Sequence, residues 1–313
     1  MEQKEYLKTA LQEFHITLQD KQLDQLLTFY DLLVEKNKVM NLTAITEFEE
    51  VVFKHFLDSL AICKASFDGK TSMFQANKAE MTDADSTDQV NRANQNKRKA
   101  SLIDVGCGAG FPGMVIAIAY PDLQVTLLDS LQKRVGFLGE VIEKLALANC
   151  SAVHFRAEEA ARMKEYRDRY DFAVSRAVAN LSTLSEYCLP YVKPGGYFIA
   201  YKSEKIREEA PAAQKAIKLL GGKVASETEF YLPDSIQTGL DMQSSKGNMD
   251  DGGREKISET GKKSEQKISS QGDQADRTDC RGAGYRNLYV IKKTGPTPAR
   301  YPRKAPLPAK QPL

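Results

Sequence analysis

A short apolar run breaks into a glycine-rich loop at residues 102–113, and the chain then resumes as an apolar segment. The run Leu102–Val105 predicts a strand, four glycines follow between 106 and 113, and the continuation predicts a helix. Glycines let the backbone take positive φ angles and approach a ligand, and the first amides of a helix are free donors. We therefore expect a small polar ligand on this loop.

The spacing of the glycines separates three kinds of ligand loop. A phosphate-binding P-loop ends in Gly-Lys-Ser/Thr, which Gly110-Phe111-Pro112 does not match. A dinucleotide fingerprint needs its third glycine at the sixth position, where this loop has Phe111. The remaining pattern, Asp-x-Gly-x-Gly-x-Gly, is that of class I S-adenosylmethionine (SAM) methyltransferases. It assigns Asp104, Gly106, Gly108 and Gly110 to SAM, with Asp104 near the methionine part, while an ordinary tight turn remains the alternative.

Short β-rich runs alternate with helical stretches from residue 101 onward. Such alternation predicts a parallel sheet with crossover helices. With the glycine loop, it predicts an α/β, Rossmann-like fold. The resemblance of the loop to class I methyltransferases implies a mostly parallel, seven-stranded sheet with an antiparallel last strand. The predicted strands are at 101–106, 124–129, 152–156, 171–175, 196–202, 223–232 and 286–292.

Two further acidic positions follow predicted strands in the order that an adenosine cofactor requires. Asp129 ends the second strand, where a carboxylate can accept the ribose hydroxyls, although it could instead cap the next helix. Ala157 and Glu158 follow the third strand, where the acid could accept the adenine amino group or simply favour a helix start. Only the ordered combination with the glycine loop points to a SAM site.

The regions outside this core differ in character. Residues 1–67 predict a helical segment, in which one apolar stripe begins after a cap at Asp20. Residues 68–99 and 235–284 are polar, and we expect disordered inserts because they cannot bury enough apolar surface to offset ordering. Residues 100–234 form the predicted SAM-binding core, which residues 285–313 complete.

Composition limits the remaining classes. The five cysteines form no Cys-x-x-Cys pair, so we expect neither disulfides nor a metal site. Because the cysteines should then be reduced, we expect a cytoplasmic protein. No apolar run is long enough to span a bilayer. The net charge is +2, but from Cys280 to Leu313 there are eight basic residues and no acid. With six prolines in its last twenty residues, this tail is predicted to be extended, without helix, along a phosphate backbone.

Several motifs together resemble the ribosomal RNA small subunit methyltransferase G family. They are the run from Asp104 to Gly113, Asp129–Arg134 with Phe137-Leu138, Arg156-Ala157-Glu158 and Ser175–Ala179. The flanks agree, because Asn41-Leu42-Thr43, His55–Leu60 and Tyr301–Lys304 resemble family motifs. The resemblance covers about 1–67, 100–234 and 285–313, and the two polar inserts have no counterpart in the usual pattern.

The resemblance implies transfer of a methyl group from SAM to guanine N7 at one position of 16S rRNA (527 in the standard rRNA numbering). By matching motif positions, Gly106, Phe111, Ala157, Glu158 and Arg176 would line the cofactor pocket, although Arg176 could instead be a surface residue that pairs with a nearby carboxylate. Guanine N7 has a free lone pair, so no general base is needed and no catalytic residue is assigned. The partner would be 16S rRNA or a 30S assembly intermediate, and the protein a monomer.

A second group of residues is predicted to touch the RNA: His55, Arg134, Lys202, Arg303 and Lys304. Most have an alternative reading, since Arg134 suits a solvated helix face, Lys202 a strand end, and Arg303 an ion pair within a tail folded back on the sheet. Two other functions also stay open. One is a class I methyltransferase acting on another RNA or a small molecule, and the other is a noncatalytic RNA-binding module.

Overall fold

The computed structural model describes residues 2–68, 74, 99–233 and 284–313. The predicted polar inserts at 68–99 and 235–284 fall almost entirely outside these residues. Their character therefore stays a prediction.

Seven strands form one sheet in the described part of the chain. They are β1 Ser101–Val105, β2 Gln124–Asp129, β3 Cys150–His154, β4 Tyr170–Arg176, β5 Val192–Lys202, β6 Gly222–Tyr231 and β7 Tyr285–Lys293. Their order is β3-β2-β1-β4-β5-β7-β6. The first five strands are parallel, and β7 runs antiparallel between β5 and β6. The predicted α/β class I fold with an antiparallel last strand is confirmed.

Helices cover both faces of this sheet. The crossover helices are α5 Gly113–Ala119, α6 Gln132–Lys144, α7 Ala157–Ala160, α8 Leu181–Cys188 and α9 Ile206–Leu219. They enclose two clusters of buried apolar side chains. Because β1 has β2 on one side and β4 on the other, the strand order reverses at β1, and its carboxyl end is where ligands bind in open α/β sheets.

The predicted N-terminal helical segment is present. It comprises α1 Gln3–Glu13, α2 Asp20–Met40, α3 Phe48–Val51, a π-helical stretch at Val52–Leu57, α4 Asp58–Leu60 and a 3₁₀ turn at Ala61–Lys64. The cap of α2 is Gln19 in a capping box with Gln22, not Asp20 as expected. Gln22 also donates to the Ile118 carbonyl at 2.9 Å, which fastens α2 to the end of α5.

The C-terminal tail differs from its prediction. Instead of an extended strip, it folds back on the core and ends in a short helix, α10 Leu307–Lys310, which packs on α8. Tyr301 and Pro308 are buried. The expected absence of helix was therefore wrong, since proline is tolerated in the first turn of a helix and α10 has Pro308 there.

Candidate functional site

The glycine loop leaves β1 and turns sharply at the predicted edge of the sheet. Gly106, Gly108 and Gly110 have φ angles of 76°, 58° and 107°, which L residues rarely adopt. The amides of Gly106 and Cys107 donate to the Leu128 carbonyl at 2.8 and 3.1 Å, which ties the loop to β2. A cavity of about 500 Å³ lies over this loop, between α2–α3 on one side and the end of β4 on the other.

The three loop glycines have different surroundings. A Cβ on Gly108 would meet nothing within 4 Å, so this residue opens into the cavity. A Cβ on Gly110 would lie 3.0 Å from both Leu138 and Met114. The side of Gly110 that a Cβ would occupy is therefore closely packed, and its contact with the cofactor stays a prediction.

Asp104 makes its described contact below the loop, and its place near the methionine part of SAM stays a prediction. Its side chain is fully buried and lines none of the described cavities. One oxygen, Oδ2, accepts from the Gly113 amide at 2.7 Å, and the other, Oδ1, has no hydrogen-bond partner among the described residues. Burial raises the pKa of this carboxyl to about 7. The contact that the structure shows is thus with the start of α5, below the loop.

Asp129 lies between two neighbouring cavities. It lines the 500 Å³ cavity and a second cavity of about 230 Å³, and we call these two together the glycine-loop groove. Its Oδ2 accepts from the Gly108 amide at 2.9 Å, and its Oδ1 accepts from Leu131 at 2.8 Å. Arg134, at 3.7 Å from Oδ2, also lines the groove. Asp129 therefore both shapes the loop and borders the cavity, so its two readings are compatible.

The 230 Å³ cavity contains the residues predicted to bind adenine after the third strand. Ala157 and Glu158 line it, and Glu158 is buried, with its Oε1 accepting from Arg156 at 3.2 Å. Tyr187 of α8 and Ala309 of α10 also line this cavity. Sequence reasoning missed both of these, because nothing local to either residue indicates that α8 and α10 meet beside Glu158.

The N-terminal segment supplies the opposite wall. His55, in the π-helical stretch, stacks on Phe111 with ring centroids 4.3 Å apart. Its Nε2 is 2.9 Å from the Thr43 hydroxyl. Burial and the nearby Arg176 guanidinium lower the pKa of His55 to about 3, so the imidazole is neutral at physiological pH. π-Helical turns of this kind often occur at functional sites.

Arg176 ends β4 and connects the groove to a larger cavity. Its Nη1 donates to Asp58 Oδ2 at 2.6 Å and to the Lys54 carbonyl at 3.2 Å. The guanidinium lies 5.3 Å from the Phe111 ring centroid. The other Asp58 oxygen accepts from Arg286 Nε at 3.2 Å. A buried carboxylate thus holds two arginines, and Arg286 was missed because it follows the second polar insert, far along the chain.

The larger cavity, about 730 Å³, is named the basic cleft here. It shares His55, Arg176, Ala177 and Val178 with the 500 Å³ cavity of the groove. Five basic residues and two acidic ones line it: Lys54, Arg176, Lys202, Lys205 and Arg286, with Asp58 and Glu209. Lys202 is present as predicted, but its Nζ is held by Glu209 at 2.6 Å and by the Ala179 carbonyl at 2.7 Å.

The tail residues predicted to touch RNA lie elsewhere. Arg303 donates to Glu186, whose side chain is fully buried, from Nη2 at 2.7 Å and from its backbone amide at 2.7 Å. Lys304 is exposed and lines none of the three cavities. The structure shows the alternative given for Arg303, an ion pair within a tail folded back on the core, and the phosphate role is corrected because the guanidinium is used within the fold.

Two kinds of feature are absent from the described residues. No group of three or more histidine, cysteine or acidic residues could hold a metal ion there. Within that same part of the chain, no helix is long and apolar enough to cross a membrane.

The sheet order, the glycine loop at its switch point and the acids after β2 and β3 define a class I methyltransferase. A family model described as rRNA small subunit methyltransferase G matches residues 22–75 and 71–234. The chain belongs to the rRNA small subunit methyltransferase G family.

Its relatives match over nearly their whole length. Ribosomal RNA small subunit methyltransferase G of Lachnoclostridium phytofermentans is 41% identical over 97% of this chain and 95% of that protein. The protein of the same name from Alkaliphilus oremlandii is 39% identical over the full length of both. Among solved structures, Pyrococcus horikoshii TYW2 in complex with MeSAdo covers 66% of this chain at a TM-score of 0.40 and 15% identity.

Proposed function

We propose that this protein transfers a methyl group from SAM to N7 of one guanosine in 16S rRNA. SAM binds in the glycine-loop groove, and the target nucleotide enters the basic cleft. The observation that carries this proposal is that the two cavities meet at His55, Arg176, Ala177 and Val178. A donor in the groove and an acceptor in the cleft would therefore be neighbours, with these four residues bordering both.

The groove fits SAM in three respects. Gly108 leaves open space where a side chain would stand, and Asp129 and Glu158 border the cavities where ribose and adenine groups need acceptors. Oδ1 of Asp104, buried without a partner, supplies negative charge below the loop when the carboxyl is ionised. When bound, SAM supplies an electrophilic methyl group on a sulfonium. The protein's contribution is to orient and to exclude water, worth up to about 7–11 kcal/mol in well-oriented systems.

The neutral state of His55 supports acceptance by N7. Guanine N7 is an acceptor with a free lone pair, so its alkylation needs no proton removal. A histidine whose pKa is lowered to about 3 is poorly placed to act as a base near neutral pH. Its ring instead stacks on Phe111 and gives the groove a flat wall.

The pairing of Arg176 supports the same acceptor. A guanidinium that bonded both O6 and N7 of guanine would block the lone pair that must attack. Asp58 and the Lys54 carbonyl hold Nη1 of Arg176 away from such a grip. Alkylation at N7 also leaves positive charge on the base, and the Asp58 carboxylate offsets the charge of the adjacent arginine.

The charge of the basic cleft favours a nucleic-acid substrate. Five basic residues face two acidic ones there, and lysines and arginines that neutralise phosphates supply most of the sequence-independent affinity for nucleic acid. We infer that the substrate is 16S rRNA or a 30S assembly intermediate. We further infer that the protein acts as a monomer in the cytoplasm.

The test is methylation of defined substrates in vitro. Purified protein and isotopically labelled SAM are mixed with naked 16S rRNA and with 30S particles that lack the modification, and the products are mapped by mass spectrometry. The expected result is a single 7-methylguanosine, which is lost in Arg176→Ala. Label on an exocyclic amine, on several guanosines or on small molecules instead of RNA would overturn the proposal.

A further inference from the structure

The C-terminal helix reaches the cofactor side of the site. Ala309 of α10 lines the 230 Å³ cavity together with Ala157, Glu158 and Tyr187. These residues come from three separate parts of the chain, and Ala309 is the last of them in the sequence. The tail thus contributes an exposed residue, Ala309, to the outer rim of the groove.

A buried ion pair holds the tail in this place. Glu186 is fully buried on α8 and accepts from both the backbone amide and the guanidinium of Arg303. The same Arg303 Nη2 donates to the Gln311 carbonyl at 2.7 Å. This bond ties the residue after α10 to the Arg303–Glu186 ion pair, which we call the clamp. Glu186 immediately precedes Tyr187, so the clamp and the cavity wall belong to the same turn of α8.

Further contacts fix the two ends of the tail. The Thr183 hydroxyl donates to the Pro308 carbonyl at 3.0 Å, next to Ala309 itself. Nearer the sheet, Arg167 donates to the Thr297 carbonyl at 2.8 Å and to the Tyr301 carbonyl at 3.0 Å. The main chain of the tail is therefore held by side chains of the core along most of its length.

We propose that α10 is the outer wall of the adenosine end of the SAM site, and that Ala309 is a cofactor-contacting residue. The tail then controls how tightly the cofactor is held, and it has no direct part in binding RNA. This inference rests on the proposed placement of SAM in the glycine-loop groove. The small side chain of Ala309 leaves room for a purine. The apolar wall also keeps water away from the hydrogen bonds that Glu158 would accept from the cofactor.

The first test compares two neighbouring substitutions on α10. Ala309 and Lys310 are both exposed, but only Ala309 lines a cavity. Ala309→Trp therefore puts a large ring at the cavity wall, whereas Lys310→Trp adds the same ring outside all three cavities. By calorimetry, we expect Ala309→Trp to lower the affinity for SAM and for S-adenosylhomocysteine at least tenfold. Lys310→Trp should change neither affinity by more than about twofold. Melting temperatures of both variants report whether the fold is kept.

A second variant removes the wall and keeps the clamp. Truncation after Pro306 deletes α10 but leaves Arg303 and Glu186 in place, so the core should stay folded. We expect faster release of S-adenosylhomocysteine and unchanged affinity for 16S rRNA at two salt concentrations. Normal cofactor affinity in both the truncation and Ala309→Trp would overturn the inference, and so would a loss confined to RNA affinity. Failure of the proposed function looks different, because wild-type protein would bind SAM through this wall without methylating 16S rRNA.

Discussion

The glycine-loop groove and the basic cleft share a border at His55 and Arg176, but they are built in different ways. The loop side of the groove consists largely of backbone in unusual conformations, fixed by glycines that lie within eight residues of each other. The cleft consists of charged side chains whose partners lie far apart, with Asp58 and Arg286 separated by 228 positions. Damage to one half should therefore leave the other largely intact.

The largest expected effect comes from removing the carboxylate that organises the cleft. Asp58→Ala leaves Arg176 and Arg286 facing each other without a counter-charge, and breaking such a buried pair typically costs about 3–5 kcal/mol. We expect a loss of about 3 kcal/mol in the free energy of unfolding by urea titration. Methyl transfer should be lost, while the folded fraction still binds SAM.

The matched control is Glu50→Gln, which breaks the exposed pair between Glu50 and Lys54 at the same end of the molecule. Exposed pairs contribute at most about 1 kcal/mol, so this variant should be nearly as stable as wild type. An Asp58→Ala protein that is equally stable would show that the two arginines do not depend on this carboxylate.

The next effect concerns the groove alone. Gly108→Val fills the open space beside the loop and forces a β-branched residue into a φ of 58°. We expect SAM affinity to fall at least 100-fold, about 2.7 kcal/mol, with an unchanged circular dichroism spectrum. Gly139→Ala is the control, because Gly139 is exposed on α6 and a Cβ there meets nothing within 4 Å. Unchanged affinity in Gly108→Val would refute the assignment of the groove to SAM.

A third measurement follows stability against pH to test His55, which lies at the border between the groove and the cleft. The pKa of His55 is lowered to about 3 in the folded protein but stays near 6.5 when unfolded, so the unfolded chain takes up the proton first on acidification. Wild type should lose about 2 kcal/mol more stability than His55→Gln between pH 6.5 and 4.5. Asp104 acts in the opposite direction, since its pKa is raised to about 7, but it is present in both proteins and cancels. Parallel pH profiles would contradict a buried neutral imidazole.

The smallest effect concerns single phosphate contacts. Lys205 is exposed and lines the basic cleft, so Lys205→Ala should reduce the slope of log affinity for RNA against log salt by about one. SAM affinity should not change. Lys304→Ala provides the comparison, because Lys304 was predicted to touch RNA yet lies on the tail, outside the cleft. A larger change for Lys304 than for Lys205 would place the RNA along the tail.

Sequence patterns were sufficient for the sheet and for the loop. Most predicted strands agree with the observed ones to within one or two residues, because apolar runs and glycine breaks are local signals. The start of β5 was placed at 196 rather than 192, since Pro194-Gly195 looks like a turn, although the strand includes it. The cap of α2 was also misplaced, because the Gln19–Gln22 box depends on side-chain geometry and not on a typical capping residue.

Predictions that depended on distant partners were less accurate. Arg303 looked like a phosphate ligand because its neighbours in sequence are basic, whereas its partner Glu186 lies 117 positions away. Gly110 fitted the loop motif, yet the side chains that exclude a Cβ there come from α2, α5 and α6. Such contacts exist only once the elements have packed, so a single sequence shows each residue type but not its partner.

The strands β6 and β7 have a practical consequence for anyone who wishes to modify this enzyme. They are antiparallel neighbours, and just beyond them the Leu232 amide donates to the Gly284 carbonyl at 2.8 Å. The ends of β6 and β7 where the intervening chain attaches therefore lie together, and doubling the length of any flexible loop that joins two such points costs only about 0.6 kcal/mol. This position is a permissive site for inserting a fluorescent or affinity reporter. Since Phe230 and Arg286 beside it line the basic cleft, the reporter would sit next to the place proposed for the RNA.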